Sequence, residues 1–442
     1  MKLTISENKR NFCLDGAPFF WLGDTAWLLF SKLTFEESCV YLQNRAQKGF
    51  NVIQATLVHK SGYSTIDGKP ALTDDDFSRP LAPEDANGYW EHVRSVVRYA
   101  KKLGLIMALL PSWGNFAKDG KLNVNNAGGY AAFLADYFAE EENILWLVGG
   151  DVRGDAAPEV FRIIGKTLKA RMPEILVGYH PFGRCSSSYW FHDEPWLDFN
   201  MFQSGHRDYG QRTLKAWDDN AIFYGEDNYR YVLDDFAKSP AKPTLDGEPS
   251  YEQIPHGLHD PSQPYWQAAD VRRYAWWSVL TGSAGHTYGD NAIMQFFIGH
   301  EEGSFGVKQT WQKALHNPGS GQMQHLKKLC LAAGFETGAF RDDLTKNDGV
   351  QHAWHPAFLT EKALIVYEYE GQPLIVHADK LPFASLIGFW MDPVSGAIGT
   401  FGRVEKKMQT LTPPVREGET NDWALIIADE SQAQALLCAY IG

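Results

Sequence analysis

Five apolar runs in this 442-residue chain end in glycine followed by an acid: Trp21-Leu-Gly-Asp24, Leu147-Val-Gly-Gly-Asp151, Tyr224-Gly-Glu226, Leu245-Asp-Gly-Glu248 and Tyr288-Gly-Asp290. Glycine frees the backbone just before the acid and lets a ligand approach closely. An acid placed there can also cap a following helix, but five in one chain point to an acid-lined pocket. Two carboxylates are the minimal equipment for glycoside hydrolysis: one protonates the leaving oxygen, and the other attacks the anomeric carbon or activates water. Histidines crowd the same run ends, at His59, His180, His206 and His286, with Trp27, Trp113, Asn115, Gln203, Tyr251 and Tyr288 beside them. These groups suit hydrogen bonding to sugar hydroxyls and stacking on sugar rings. The histidines come from different runs and lack H-E-x-x-H or H-x-H spacing, so no metal site is expected.

Eight apolar runs must position these residues: Phe19–Gly23, Val52–Leu57, Leu105–Leu110, Ile144–Gly149, Ile175–Tyr179, Phe199–Gln203, Pro243–Gly247 and Ser283–Tyr288. Their continuous apolar character suits parallel strands covered on both faces. Helical stretches lie between them. Thr34–Lys48 opens on a Thr34-Phe-Glu-Glu37 capping box and stops at Gly49. Tyr89–Leu103, Gly129–Glu140, Glu159–Arg171 and Asp270–Leu280 follow. Eight strand–helix units over roughly 270 residues predict an α/β fold, a (β/α)8 TIM barrel. A doubly wound open sheet is the alternative, but no G-x-G-x-x-G or Walker A sequence follows any strand.

Barrel enzymes carry their reactive groups at the C-terminal ends of the strands. Asp151 follows the fourth strand and Glu248 the seventh, so opposed strands can aim both at one bond. Glu226 is the rival of Glu248. Taking Ile222–Gly225 as the seventh strand leaves only about 19 residues after Gln203 for a loop and a helix, whereas Pro243–Gly247 leaves about 40. Asp24, Asp151, Glu248 and His286 are expected to converge at one end of the barrel.

After about residue 341 the pattern changes. Gly349–Ala353, Ala363–Glu370, Leu374–His377, Ser385–Met391 and Trp423–Ala428 alternate or are β-rich, with turn signals at Glu370–Pro373 and Asp392–Gly396. This predicts a small antiparallel β-sandwich, with domains over 1–342 and 343–442.

Hydrophobic residues make up 44% and charged residues 21%, which reads as globular rather than disordered. Lys plus Arg number 41 against 54 Asp plus Glu, a formal charge of −13. That balance argues against nucleic acid or an anionic membrane surface as partner. No apolar run reaches the roughly 18 residues of a membrane-spanning helix. The first residues show no apolar signal region, so the sequence as it stands reads as cytoplasmic. Five dispersed cysteines read as free, mostly buried thiols.

The motifs Trp21-Leu-Gly-Asp-Thr-Ala-Trp27, Leu145-Trp-Leu-Val-Gly-Gly-Asp151, Tyr179-His-Pro181, Trp190–Asn200, Gln203-Ser-Gly-His206, Asp246-Gly-Glu-Pro-Ser-Tyr-Glu252 and Gly285-His-Thr-Tyr-Gly289 resemble the bacterial apiosidase-like glycoside hydrolase family. The tail, with Phe389-Trp-Met-Asp-Pro-Val-Ser-Gly396, resembles the small β domain that follows in that family, labelled a collagen-binding domain of a collagenase. The resemblance covers nearly the whole chain. It implies a (β/α)8 catalytic domain with a C-terminal β-sandwich. It also implies retaining hydrolysis, with Asp151 as acid/base and Glu248 as nucleophile. Many barrel glycosidases carry Asn-Glu after the fourth strand; here Gly150-Asp151 stands there, a shorter acid that loop position must compensate. On this reading Asp24, His59, His180, Gln203, His206, Tyr251, His286 and Tyr288 contact the substrate, and Trp27 and Trp113 wall the subsite. Family activity includes release of apiose-linked side chains from plant pectin. The implied partner is therefore an oligosaccharide or polysaccharide, and the chemistry needs no cofactor. Two other classes stand beside this one. A non-catalytic sugar-binding protein on the same scaffold is opposed by the presence of both carboxylates. A peptidase is opposed by the lack of a zincin motif or a G-x-S-x-G elbow.

Overall fold

The computed structural model describes residues 1–81, 88–211, 221–347, 349–417 and 420–441. Eight parallel strands curl around one axis: β1 Trp21–Thr25, β2 Val52–Thr56, β3 Ile106–Leu110, β4 Ile144–Gly149, β5 Val177–His180, β6 Asn200–Gln203, β7 Thr244–Asp246 and β8 Gly285–Tyr288. Hydrogen bonds join them in the order β5-β4-β3-β2-β1-β8-β7-β6. Between β5 and β6 there is no regular ladder. Asp198 bridges that gap, its backbone N–H donating to the Val177 carbonyl at 2.8 Å and its carboxylate accepting the Val177 N–H at 2.7 Å. A ninth short strand, Cys185–Ser186, pairs antiparallel with β6. Each barrel strand falls on one of the eight apolar runs.

The runs are continuous because each strand is buried on both sides, and alternation decides which side a residue serves. Trp21, Val52, Ala108, Leu145, Leu147, Met201 and Leu245 fill the interior. Ile53, Met107, Leu109, Trp146, Val148 and Tyr179 pack outward against helices. The helix Phe35–Gln47 has the expected capping box: Thr34 Oγ1 accepts the Glu37 N–H at 3.2 Å and the Glu37 carboxylate accepts the Thr34 N–H at 3.0 Å. Helices Tyr89–Lys102, Ala127–Tyr137, Pro158–Arg171 and Ala268–Leu280 also lie where the pattern puts them. Among the described residues, no helix is long and apolar enough to cross a membrane. Cys185 and Cys330 are buried, Cys438 is exposed, and all five thiols are unpaired, so the expected burial holds for only two of them.

The C-terminal region is antiparallel. Its six-stranded sheet runs in the order Ala339–Phe340, Ala357–Leu359, Ala363–Glu368, Trp423–Asp429, Leu386–Met391 and Ile398–Val404. The first of these strands lies ahead of the boundary expected at 342/343. A two-stranded ribbon, Leu374–His377 with Met408–Leu411, covers one face through Leu364, Val366, Val376 and Ile427. The other face meets the barrel, with Ile365, Tyr367, Phe389 and Ile426 packed with Trp276, Trp277, Met323 and Leu326. Each such aliphatic or Phe side chain contributes roughly 1.5–3 kcal/mol by leaving water. Arg272 fixes the registration by a bidentate pair with buried Asp422, at 2.8 and 3.0 Å. Gly349–Ala353 is not a strand: Gln351–Ala353 forms a single 3-10 turn. The Asp392–Gly396 turn is a hairpin, in which Asp392 accepts from Val394 N–H at 2.9 Å and Ser395 Oγ at 2.7 Å.

Candidate active site

At the C-terminal end of β4, Gly149, Gly150 and Asp151 take φ angles of 93°, 110° and 51°. A Cβ on Gly149 would sit 2.6 Å from the His180 carbonyl oxygen, so only glycine fits. Holding Asp151 in the left-handed region costs roughly 1–2 kcal/mol, tolerable for a short polar side chain. The turn brings Asp151 into the wall of a cleft of about 360 Å³ that also exposes Gln203, His206 and Glu248. A hollow of about 390 Å³ at the opposite end, among Met1, Ile144 and Met172, has no such pairing of acids with histidines.

Glu248 lies two residues beyond β7 and is held by two histidines. His206 Nε2 is 3.1 Å from its Oε1, and His180 Nε2 is 3.2 Å from its Oε2. A carboxylate only accepts, so His206 carries its proton on Nε2. The Asp151 backbone N–H points at His180 Nδ1 at 3.4 Å, which likewise leaves the His180 proton on Nε2. His180 Nε2 and Glu248 Oε2 face each other off the ideal direction, so both stay open to a further partner. Tyr251 stands behind them, its hydroxyl accepting from Trp27 Nε1 at 3.2 Å. Burial and the adjacent Glu248 charge keep that phenol neutral.

The two acids are driven apart. Burial, then the Glu248 charge, raise Asp151 well above the ordinary 3.8, against a hydrogen bond from Gln203. Burial also pushes Glu248 upward, but the N–H groups of His180 and His206 outweigh it and bring it down to about 2. The cleft therefore pairs an acid biased toward its protonated form with one biased toward its ionised form, the division of labour that acid-assisted nucleophilic chemistry needs.

The aromatic wall continues from His180. Trp27 meets its ring edge-on at 5.1 Å and Trp113 at 5.3 Å, and Trp113 packs on His59 at 4.7 Å. Burial lowers His59 to about 4, so its ring is uncharged. Asn115 sits apart, opening the short helix Asn115–Lys118.

Of the expected residues Asp151, Gln203, His206 and Glu248 line the cleft, and three others, Asp24, His286 and Tyr288, point away from the barrel axis by strand parity. On β1, Trp21 faces inward while Leu22 packs outward, so Asp24 also points outward. It accepts from Tyr41 Oη at 2.5 Å and Arg45 Nε at 2.6 Å, in full burial. On β8, Thr287 turns inward to Trp21. Its neighbours His286 and Tyr288 therefore turn outward. His286 faces Ser278 Oγ at 3.5 Å, and burial lowers it to about 3. Tyr288 donates to Glu252 Oε2 at 2.6 Å. The convergence expected for four residues thus holds for Asp151 and Glu248 and fails for Asp24 and His286.

Of the other acids after glycine, Asp290 is a helix cap, accepting from Ala292 N–H at 2.9 Å and Ile293 N–H at 3.2 Å. Glu226 is locked between Arg273 Nη2 at 2.5 Å and His352 Nε2 at 3.0 Å. It is not at a strand end; β7 is the Thr244–Asp246 segment, as the spacing predicts. Sequence reading missed part of the cleft lining: Arg184, Arg207, Gln211, His256 and Asp260. They sit on irregular loops without periodicity; only their place after barrel strands marks them. Among the described residues, no group of three or more His, Cys, Asp or Glu side chains is arranged to hold a metal ion.

A barrel with paired acids after its fourth and seventh strands defines a class of glycoside hydrolases. Residues 6–337 match the family described as "Apiosidase-like, catalytic domain", and the chain belongs to that family. Residues 343–428 match the domain described as "Putative collagen-binding domain of a collagenase". A solved structure described as a glycoside hydrolase is 38% identical, with a TM-score of 0.92 and coverage of 97% of each chain. A glycoside hydrolase family 5 protein from Bacteroides vulgatus ATCC 8482 is 35% identical, with a TM-score of 0.92 over 97% of this chain and 94% of its own. No curated protein is matched. The chain is a glycoside hydrolase.

Proposed function

We propose that the enzyme hydrolyses its glycoside with retention of configuration, through two displacements. Glu248, ionised, attacks the anomeric carbon while Asp151 gives its proton to the leaving oxygen. Asp151, now a base, takes a proton from the water that breaks the glycosyl–Glu248 ester. The observation that carries this reading is the opposite displacement of the two acids, Asp151 upward and Glu248 downward, within one cleft. His180, Gln203, His206 and Tyr251 hold hydroxyls, and Trp27, Trp113 and His59 present the apolar side of the subsite. Buried polar atoms without partners, Gln203 Oε1 and His206 Nδ1, are the bonding capacity that a sugar would take up. The substrate is an oligosaccharide or polysaccharide, with apiose-linked material suggested by the family description.

The test is a panel of aryl glycosides and pectic oligosaccharides. With an activated aryl leaving group, Asp151→Asn should still form the glycosyl-enzyme, and added azide should restore turnover as a glycosyl azide of retained configuration. Equal loss on activated and natural substrates, with no azide effect, would remove Asp151 from the acid/base role. Saturable binding without turnover anywhere in the panel would instead identify a sugar-binding protein.

A further inference from the structure

We propose that His352, from the C-terminal region, is a positioning residue for the cleft: it holds the wall segment 206–211, and through it keeps His206 on Glu248. The inference rests on Glu248 being the nucleophile.

That wall is one connected piece. The His206 carbonyl oxygen accepts from Trp266 Nε1 at 3.0 Å and from Gly257 N–H at 2.8 Å. Asp208 pairs with His256 Nδ1 at 2.8 Å, and the His256 ring stacks on Trp266 at 3.9 Å. Gln211 donates to the His256 carbonyl at 3.1 Å. Within the wall, Tyr209 is its outer anchor. Its backbone N–H donates to Glu226 Oε1 at 2.8 Å and its hydroxyl to Asp227 Oδ1 at 2.7 Å.

His352 reaches this anchor twice. Its ring lies 5.5 Å from the Tyr209 ring, edge to face. Its Nε2 donates to Glu226 Oε2 at 3.0 Å, the same carboxylate that receives the Tyr209 N–H. Arg273 shares Oε2, and Tyr369 closes the arrangement with its ring 5.3 Å from His352 and under the Arg273 guanidinium at 5.1 Å. Glu226, Asp227 and Arg273 are the charged groups at the contact, with Arg230 on Asp227 at 3.3 Å and Asp270 accepting from the Tyr369 hydroxyl at 3.0 Å behind them. The small sheet therefore contributes a residue to the support of the active site as well as a packing face, a use unrelated to binding any matrix protein.

His352→Ala should raise KM about five-fold, the worth of one hydrogen bond. It should also move the acidic limb of the kcat/KM profile upward by ~0.5 pH unit, because a loosened His206–Glu248 bond releases Glu248 toward its ordinary value. His352→Gln, whose amide N–H can still reach Glu226, should restore most of both. Unchanged KM and acidic limb in His352→Ala, with or without a lower melting temperature, would reduce the contact to packing and overturn the proposal. Glu248→Gln, measured alongside, separates the two readings. If it is inactive while His352→Ala is silent, only the positioning role falls. If it keeps full activity, the assignment of the nucleophile falls first.

Discussion

Two buried acid clusters belong to different strands of the barrel, one inside its mouth after β4 and β7 and one outside β1 and β8, and they do different work. Inside the barrel mouth, Asp151 meets Gln203 and Glu248 meets two histidines, and several polar atoms stay without partners. Outside β1 and β8, Asp24 meets Arg45 and Tyr41, Glu252 meets Tyr288 and the Gly319 N–H, and Asp290 meets Asn317 at 2.6 Å. The outer cluster is packed among fixed partners, with Arg45 as its countercharge. The inner one lines a cleft. Burial of an acid after glycine is common to both; what separates them is side-chain direction, into the mouth or onto the outer layer.

The contrast breaks most visibly by swapping amides for acids. Glu248→Gln should lower kcat/KM by more than about 10⁴-fold on every substrate, since the nucleophile is needed whatever the leaving group. Its circular dichroism should match the parent's, while its melting temperature falls with the lost histidine–carboxylate stabilisation. Asp151→Asn should cost ~10²–10⁴-fold on substrates with basic leaving groups, and far less with activated aryl groups.

The pH profile sharpens the same point. Glu248 must be ionised, so activity should persist well below pH 4.5 and fall toward about 2. Asp151 must be protonated, so the alkaline limb belongs to it and should flatten in Asp151→Asn on activated substrates. Stability follows the same signs. Glu248, depressed on folding, contributes stability fully above its unfolded 4.5 and loses it as pH falls toward about 2. Asp151, raised on folding, disfavours the fold progressively as pH climbs from 3.8 through its raised value. Asp151→Asn should remove that decline, seen as a flatter dependence of melting temperature on pH.

On the outer face the expectation reverses. Asp24→Asn strands the buried Arg45 and should destabilise by ~3–5 kcal/mol, read by denaturant unfolding, while the kcat of the folded fraction is unchanged. Asp290→Ala removes the cap of the short helix Asn291–Met294 and the bond from Asn317. It should cost ~1 kcal/mol with no change in kcat.

Much of the architecture was legible because the physics is local. Thr34 and Glu37 announce a capping box, and eight short runs that lack strict polar–apolar alternation announce strands buried on both faces. The same lack of alternation hides parity. Nothing in Trp21-Leu-Gly-Asp24 or Gly285-His-Thr-Tyr288 shows which residues face the axis, so Asp24, His286 and Tyr288 read as ligands when they are outer-layer residues. Asp151 and Glu248 were readable because each lies just past its strand, where the chain turns into the mouth. His256, Asp260 and Gln211 were not, since their positions depend on loop paths that tertiary contacts set. Glu226 is the instructive rival. Its motif matches the others, but its partners, Arg273 and His352, are distant in sequence.

The decisive measurement is the mass of the peptide that carries the sugar. Asp151→Asn is incubated with whichever aryl glycoside the parent enzyme turns over, quenched, digested and mapped. A glycosyl adduct on Glu248, absent in the Asp151→Asn/Glu248→Gln double variant, is the predicted result. An adduct on Glu226 or another acid, or inverted product configuration with no adduct at all, would contradict it.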